Sequence, residues 1–532
     1  MDARVLSVML GKVRFPASGA HSDRTMRNLT RTVMSSSLHY AESMTNPTTQ
    51  AAEAKLSRGT VSRYAMGSLG TGGFATLPGL VLVYFLTDTL GVAAIVAGLI
   101  VTGAKIWDVL IDPVIGGLSD RALERKGSRR GPMLLGALGL PIAFVLTFAV
   151  PSGLAPAASA IWVLVAFIAA ATFFSLFQVP YIALPAELTD SYRERTRLLT
   201  WRVVMLTVAI LLFGAGGPEI RELFPENEML GYLVMAVVAS VLLGVGLWVA
   251  STVTPVSVPR QMQSAAPLIS LAHYREGLTV LRESQPFRAL LGTFMLQALA
   301  TGLMLAGAQF VATWVLRDEG AVTILFVSLI APALLVAPVW QKVADHLGKE
   351  RAFRIASVIF LAATLALVVM VWAPGWWIMA PVAIAGAAYA GMQTLPMAML
   401  PDVIAYDRRA RQGVGAPPAA PAAGSTHAAA PGQDAPARAG VFGGVWTAGE
   451  TAGMAFGSTV LTIVLAITGY VASTAGVSVT QPAAAISGIA LSFSLLPAAL
   501  MFASLFMLRR YRLRESDLVT TPTAAESKTE GA

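Results

Sequence analysis

Lys105–Arg121, KIWDVLIDPVIGGLSDR, decides how the rest of the chain is read. It opens inside an apolar run and sets Lys105, Asp108 and Asp112 at intervals of three and four. One helical face therefore carries a cation and two carboxylates. In a segment long enough to cross a bilayer, each such charge costs about 2.5–3.5 kcal/mol on insertion scales and normally faces a protein interior or a watery cavity. Two carboxylates one turn apart cannot both ionise cheaply in a low dielectric. They hold a cation, share a proton or pair with Lys105. Oxygen ligands suit a hard cation such as sodium, whereas a purely structural ion pair between Lys105 and one aspartate is the plainer alternative.

The surroundings of this stretch settle the class. Of 532 residues, 55% are hydrophobic and 13% charged, with a mean hydropathy of +0.66. Soluble domains carry about 25% charged residues, so the chain reads as a polytopic membrane protein. It has no cysteine, which excludes disulfides, thiolate metal sites and cysteine nucleophiles; its five histidines show no metal-ligand spacing. The net charge of +8 lies between apolar segments, so it bears on loop orientation and not on nucleic acid.

Apolar segments near the crossing length of about 20 residues recur along the chain. They fall at 61–86, 91–117, 132–150, 159–186, 198–217 and 229–251, then at 287–315, 321–341, 353–373, 376–403, 440–470 and 486–508. The expected fold class is an all-α membrane protein with twelve transmembrane helices in two six-helix bundles. The expected bundles are 58–251 and 287–510, joined by a polar linker, 252–286, whose amphipathic piece near Leu268–Leu281 suits a membrane surface. Residues 1–57 read as a disordered polar tail without a signal-peptide core, with Met34, Met44 and Met66 as alternative starts. Residues 408–439 read as a disordered Ala/Pro/Gly loop and 511–532 as a cytoplasmic tail. Basic residues crowd the even-numbered exits, as at Arg129-Arg130, Arg193 to Arg197 and Arg408-Arg409, while the opposite loops offer Arg221 and Arg317 beside several acids. This asymmetry places both termini in the cytoplasm.

The halves echo each other. Gly116-Gly117-Leu-Ser-Asp120-Arg121 leaves the second helix and Ala344-Asp345-His-Leu-Gly348-Lys349 leaves the eighth. A recurring aspartate beside basic residues at equivalent loops suits a gate in a duplicated transporter; simple orientation charges are the alternative. In the fourth helix Ser175 and Gln178 share a face next to Pro180 and Tyr181, where they can offer a hydroxyl to an ion and an amide to a substrate. Ser175 can equally bond back to its own helix. Arg202 opens an apolar run and can fork onto sugar hydroxyls or a carboxylate, or snorkel to lipid headgroups. In the eleventh helix Gly449, Gly453 and Gly457 form a close-packing stripe around Glu450 and Thr451.

These stretches resemble the glycoside–pentoside–hexuronide:cation symporters, the melibiose-permease-like branch of the major facilitator superfamily. The likeness rests on Trp107-Asp108 and Asp112-Pro113, on Val179-Pro180-Tyr181 running to Glu187-Leu-Thr-Asp190, and on Arg193-Glu-Arg195-Thr-Arg197. It continues through Leu395-Pro396, Leu400-Pro401-Asp402 and Phe442-Gly-Gly-Val-Trp446-Thr447, in order from about 61 to 510. The resemblance implies alternating access and import of a sugar with Na⁺, Li⁺ or H⁺ across a bacterial inner membrane. It matches Asp108 and Asp112 to the family's cation-binding carboxylates, Lys105 to a basic residue beside them, Ser175 to the hydroxyl that helix four gives the cation, and Arg202 to the arginine opening helix five. Together with the residue patterns above, this makes Arg202, Gln178 and Tyr181 the candidate substrate contacts. Lys105, Asp120, Arg121, Asp345, Glu450 and Thr451 go to coupling and gating. The chain also departs from the pattern. The acidic sugar contacts of helices one and four fall on Gly72 and Gln178, the lysine of helix eleven on Thr451, and the amide before the second carboxylate on Ile111. Protons therefore rival sodium. A non-sugar or amphiphilic substrate stays open, as does a membrane-embedded enzyme with Asp108 and Asp112 as acid and base. Beyond the coupling ion, the expected partners are a small-molecule substrate and the lipid bilayer, with no cofactor, nucleic acid or obligate protein partner.

Overall fold

Runs of Leu, Ala, Val and Ile satisfy their backbone internally as helices, the arrangement that hydrocarbon tolerates. The computed structural model describes residues 55–189, 191–255, 271–412, 435–477, 479–511 and 513. The chain divides into Met1–Leu56 and Ser57–Ala532, and the helices described here belong to the second unit. Twelve of them are long and apolar enough to cross a membrane. The first six are Arg58–Thr89, Ala94–Lys126, Arg130–Phe148, Pro156–Leu188, Arg193–Glu222 and Glu228–Ser251. The second six are Gln285–Leu316, Ala321–Leu347, Lys349–Val371, Trp376–Asp407, Val441–Ile467 and Ala483–Leu508. These twelve spans are numbered in that order below. The chain is an integral membrane protein with the expected all-helical fold.

Local chemistry sets the helix ends. Ser57 caps the first span by accepting from the Thr60 amide, and Pro156 opens the fourth from its first turn. The second span stops at Gly127, whose φ of 67° is left-handed and follows Arg125 and Lys126 in the last turn. The helices of the second and fourth spans each run 33 residues. At 1.5 Å per residue that is about 50 Å, well beyond a hydrocarbon core of about 30 Å. Their ends therefore project past the apolar zone, which puts Asp120 and Glu187 among polar groups.

The halves pack alike. In the first, span 1 packs on spans 5 and 6, span 3 on spans 4 and 6, and span 2 on span 4. In the second, span 7 packs on spans 11 and 12, span 9 on spans 10 and 12, and span 8 on span 10. Spans 1 and 7 are the most enclosed of each set, and both finish in a π-helical turn, Phe85–Thr89 and Val311–Leu316. The glycine stripe of span 11 closes on span 7: a Cβ at Gly453 would lie 2.8 Å from the Met295 carbonyl oxygen. The linker contains a helix, Leu271–Glu283, that packs against spans 7 and 11. The expected disorder of 1–57 and 511–532 falls largely on residues outside those described. Of the expected loop 408–439, both ends are helical, because the helices Met379–Gln412 and Ala435–Ile467 extend into it, and residues 413–434 lie outside the described residues.

The halves meet where spans 2 and 11, 5 and 8, and 1 and 7 touch. Thr102 donates to the Ala455 carbonyl at 3.2 Å and pairs with the Thr459 hydroxyl. Arg221, at the end of span 5, reaches Glu319 before span 8 at 3.1 Å. The segment after span 11 pairs with the end of span 1: the Ser473 amide donates to the Thr87 carbonyl and the Ala475 amide to that of Thr89, both at 3.0 Å. The halves are thus closed at the face where the odd-numbered spans exit.

Candidate functional site

Helical periodicity brings Lys105, Asp108 and Asp112 to one side of span 2, and span 4 supplies the facing hydroxyl. Ser175 Oγ donates to Asp108 Oδ1 at 2.7 Å, with both residues buried. Lys105 Nζ lies 3.9 Å from Asp108 Oδ2 and 5.7 Å from the centre of the Phe74 ring in span 1. Burial makes the carboxylate need such partners, because an unpaired charge in an apolar setting is costly. Asp112 is half-buried one turn further on, within electrostatic reach of Asp108, Lys105 and Ser175. Trp107 Nε1 donates to Thr172 Oγ1 at 2.9 Å and fixes the two spans in register. The Ser175 hydroxyl is thus spent across the helix interface and not on its own backbone.

The oxygen set of Asp108, Asp112 and Ser175 suits a proton or a hard monovalent cation. Lys105 already supplies one positive charge, so an incoming cation would compete with its ammonium for Asp108. Chemically, the site can exchange an internal counterion for an external one.

The expected substrate residues part company. Gln178 lies one turn from Ser175, and its Oε1 is buried without a donor among the described residues. A buried unpaired acceptor is costly, so this oxygen has capacity for a ligand. Tyr181 is fully buried instead. Its hydroxyl donates to the Tyr64 carbonyl at 2.8 Å, lies 3.2 Å from Ser68 Oγ, and its ring stacks on Tyr64. In this conformation Tyr181 presents its ring to Arg202, whose guanidinium carbon lies 5.4 Å from the ring centre. It is a platform for the arginine. Gly72 faces span 5, where an added Cβ would lie 2.8 Å from that of Ala209. A carboxylate at this position has no room.

Two charged clusters stand at corresponding corners of the halves. Arg129, at the head of span 3, bonds Glu187 at the end of span 4, Asp120 at 2.7 Å and Ser119 at 2.8 Å. Burial alone would lower the Arg129 pKa, but the bonds and charges of Glu187 and Asp120 outweigh it and hold the guanidinium above its ordinary value. In the other half Lys349, at the head of span 9, bonds Asp402 of span 10 at 2.7 Å and the Ala398 carbonyl at 3.1 Å. The echo seen in sequence at Asp120 and Asp345 is therefore built around the basic residues that follow. Asp120 pairs with Arg129, and Asp345 lines a cleft beside Lys349 and Arg354.

Glu450 sits half-buried in the middle of span 11 with Thr451 beside it. Tyr389 of span 10, which accepts from Gln393 Nε2 at 2.5 Å, lies within its electrostatic reach. Sequence reasoning passed over Asp88, which is 5% exposed at the end of span 1. A carboxylate in the run LVLVYFLTDTLGV was the available signal.

Comparison with known proteins adds a frame. The family model described as MFS/sugar transport protein matches residues 63–415 and 433–515. A putative sulfoquinovose importer of Salmonella typhimurium is 34% identical over 191 residues, 35% of this chain and 40% of that relative. A mouse protein named as a sphingosine-1-phosphate transporter is 25% identical over 343 residues, 60% of this chain and 67% of its own. The chain spans about two fifths of the length of several relatives that it matches. Among solved structures, a D-xylose–proton symporter shares the fold with a TM-score of 0.57 at 14% identity, covering 84% of this chain and 96% of its own.

Proposed function

The chain belongs to the MFS/sugar transport protein family, and from that premise we propose that it is a secondary active transporter coupling entry of a sugar or glycoside to Na⁺ or H⁺. A transport family is not an enzyme class, which leaves the embedded-enzyme reading without support. The observation that carries the proposal is the 2.7 Å bond from Ser175 to buried Asp108, with Lys105 on the other carboxylate oxygen. Asp108, Asp112 and Ser175 take the coupling cation, and its arrival displaces Lys105. Arg202 and Gln178 meet the substrate; Tyr181 holds Arg202 in place. The clusters of Arg129 with Asp120 and Glu187, next to Arg121 in sequence, and of Lys349 with Asp402, beside Asp345, tie span ends whose rearrangement switches access. Glu450 and Thr451 contribute to coupling from the second half. The protein resides in a bacterial inner membrane with both termini cytoplasmic, the orientation supported by its loop charges.

Uptake of a labelled sugar panel into proteoliposomes tests this, with a Na⁺ gradient and a pH gradient imposed separately. Accumulation of one sugar under one gradient supports symport and names both partners. No uptake of any sugar by folded protein under either gradient would refute it. A second reading, an amphiphilic substrate, is favoured by the mouse relative's name and by the absence of a carboxylate at Gly72 and Gln178. Gradient-driven uptake of a labelled lysophospholipid into the same proteoliposomes, not inhibited by any sugar of the panel, would select it.

A further inference from the structure

We propose that Asp88 and Tyr470 form the latch that holds the two halves together at the exit face of the odd-numbered spans, and that parting them is the step that opens this face. Asp88 lies in the π-helical turn that ends span 1, and Trp314 in the equivalent turn that ends span 7. π-Turns recur at functional positions because they break the regular helical ladder locally. Between them stands Tyr470, from the segment after span 11. Its hydroxyl donates to Asp88 Oδ1 at 2.5 Å and accepts from Trp314 Nε1 at 2.8 Å. Thr87 donates to Asp88 Oδ2 at 2.6 Å, and Ser473 Oγ donates to the Asp88 carbonyl at 3.0 Å.

The carboxylate thus joins residues 382 positions apart in opposite halves. It also anchors the short backbone pairing of Thr87 and Thr89 with Ser473 and Ala475 and the bridge between Leu90 and Thr474. The partners named here are hydroxyls and an indole, groups that water can replace when the halves part. A latch of this kind is firm when closed and releasable. Its location is separate from Asp108, so it concerns the conformational change and not the identity of solute or ion.

The absence of cysteine makes a direct test available in the native sequence. Thr102→Cys places a single thiol in the seam against Ala455 and Thr459, a position now 5% exposed. The labelling rate of that thiol by a charged maleimide reports opening of the seam. Adding Tyr470→Phe, which keeps the ring and removes the hydroxyl, should raise the rate about 10- to 100-fold, the range expected from losing a hydrogen bond of about 1.5–3 kcal/mol to a carboxylate across the seam. Asp88→Ala should match it, the double substitution should go no further than either single one, and Asp88→Asn, which keeps a carbonyl for Tyr470, should restore most of the protection. Unchanged labelling with Tyr470→Phe, or effects of the two residues that simply add, would overturn the latch. Since no substrate enters the assay, the result stands apart from success or failure of the transport reading. Should Asp88→Ala fail to fold, Tyr470→Phe and Asp88→Asn still decide the matter.

Discussion

Ser175 of span 4 donates its hydroxyl to Asp108 of span 2 across 2.7 Å, although 67 residues separate them in sequence. That bond stabilises a buried carboxylate and leaves Lys105 on its other oxygen. Ser175→Ala should leave the protein folded and weaken the coupling cation. A hydrogen bond to a charged group contributes about 1.5–3 kcal/mol, so the apparent cation affinity should fall about 10- to 100-fold. The cation dependence of uptake at fixed sugar concentration measures this. An unchanged dependence would remove Ser175 from the cation site.

Lys105→Met should have the opposite sign on one property. Removing the internal counterion leaves Asp108 in need of an external cation, so apparent cation affinity should rise or hold while turnover falls. The mechanism is lost competition for one carboxylate, and initial rates against cation concentration read both numbers. A loss of affinity would mean that Lys105 supports binding and does not oppose it.

Arg202 and Tyr181 should separate cleanly. Arg202→Ala removes the candidate substrate fork and should raise KM about tenfold or more, the loss of a charge-assisted bond. Tyr181→Phe keeps the ring beneath the guanidinium and loses the hydroxyl's bonds to the Tyr64 carbonyl and to Ser68. It should lower stability by about 1 kcal/mol with little change in KM. Substrate titrations and thermal melts in detergent distinguish the two.

Gly72→Asp should not create an acidic sugar contact. Its Cβ would press on Ala209 at 2.8 Å, and overpacking of a tight interface costs about 1–3 kcal/mol. The expected outcome is a lower Tm and folded yield with no gain of galactoside uptake. A folded variant with new galactoside transport would show that position 72 faces the substrate.

Arg129→Ala should destabilise more than Lys349→Ala. The Arg129 side chain is 12% exposed and bridges Glu187 and Asp120, whereas that of Lys349 is 45% exposed and serves one carboxylate. Losing the enclosed arginine should cost about 2–3 kcal/mol, and losing the open lysine under about 1 kcal/mol. Chemical denaturation of the helical signal orders them; the reverse order would detach the Arg129 cluster from the fold's stability.

What the sequence made legible follows from the range of the physics involved. Hydropathy is local, so all twelve spans could be located from their own residues, and the stripe of Gly449, Gly453 and Gly457 announced a close helix contact. Helical periodicity is local too, and it put Lys105, Asp108 and Asp112 on one face. Partners across helices left no such trace. Arg129 and Glu187 are 58 residues apart and Lys349 and Asp402 are 53 apart, so the gate expected at both loops from Asp120 and Asp345 carried no pointer to Glu187 or Asp402 as the partners. Asp88 was hidden for another reason. Its span continues past position 86 through a π-turn, and a single carboxylate at an apparent boundary looks like a loop charge until Tyr470 is found against it.

Under the proposed function, Asp108 couples cation movement to substrate movement. The most direct test of that coupling is one pair of assays on Asp108→Asn in proteoliposomes, gradient-driven accumulation and equilibrium exchange of the same labelled sugar. Accumulation should be lost while exchange persists, because the amide no longer takes up the cation yet the substrate contacts at Arg202 and Gln178 remain. Accumulation by Asp108→Asn at the unsubstituted level would contradict that coupling.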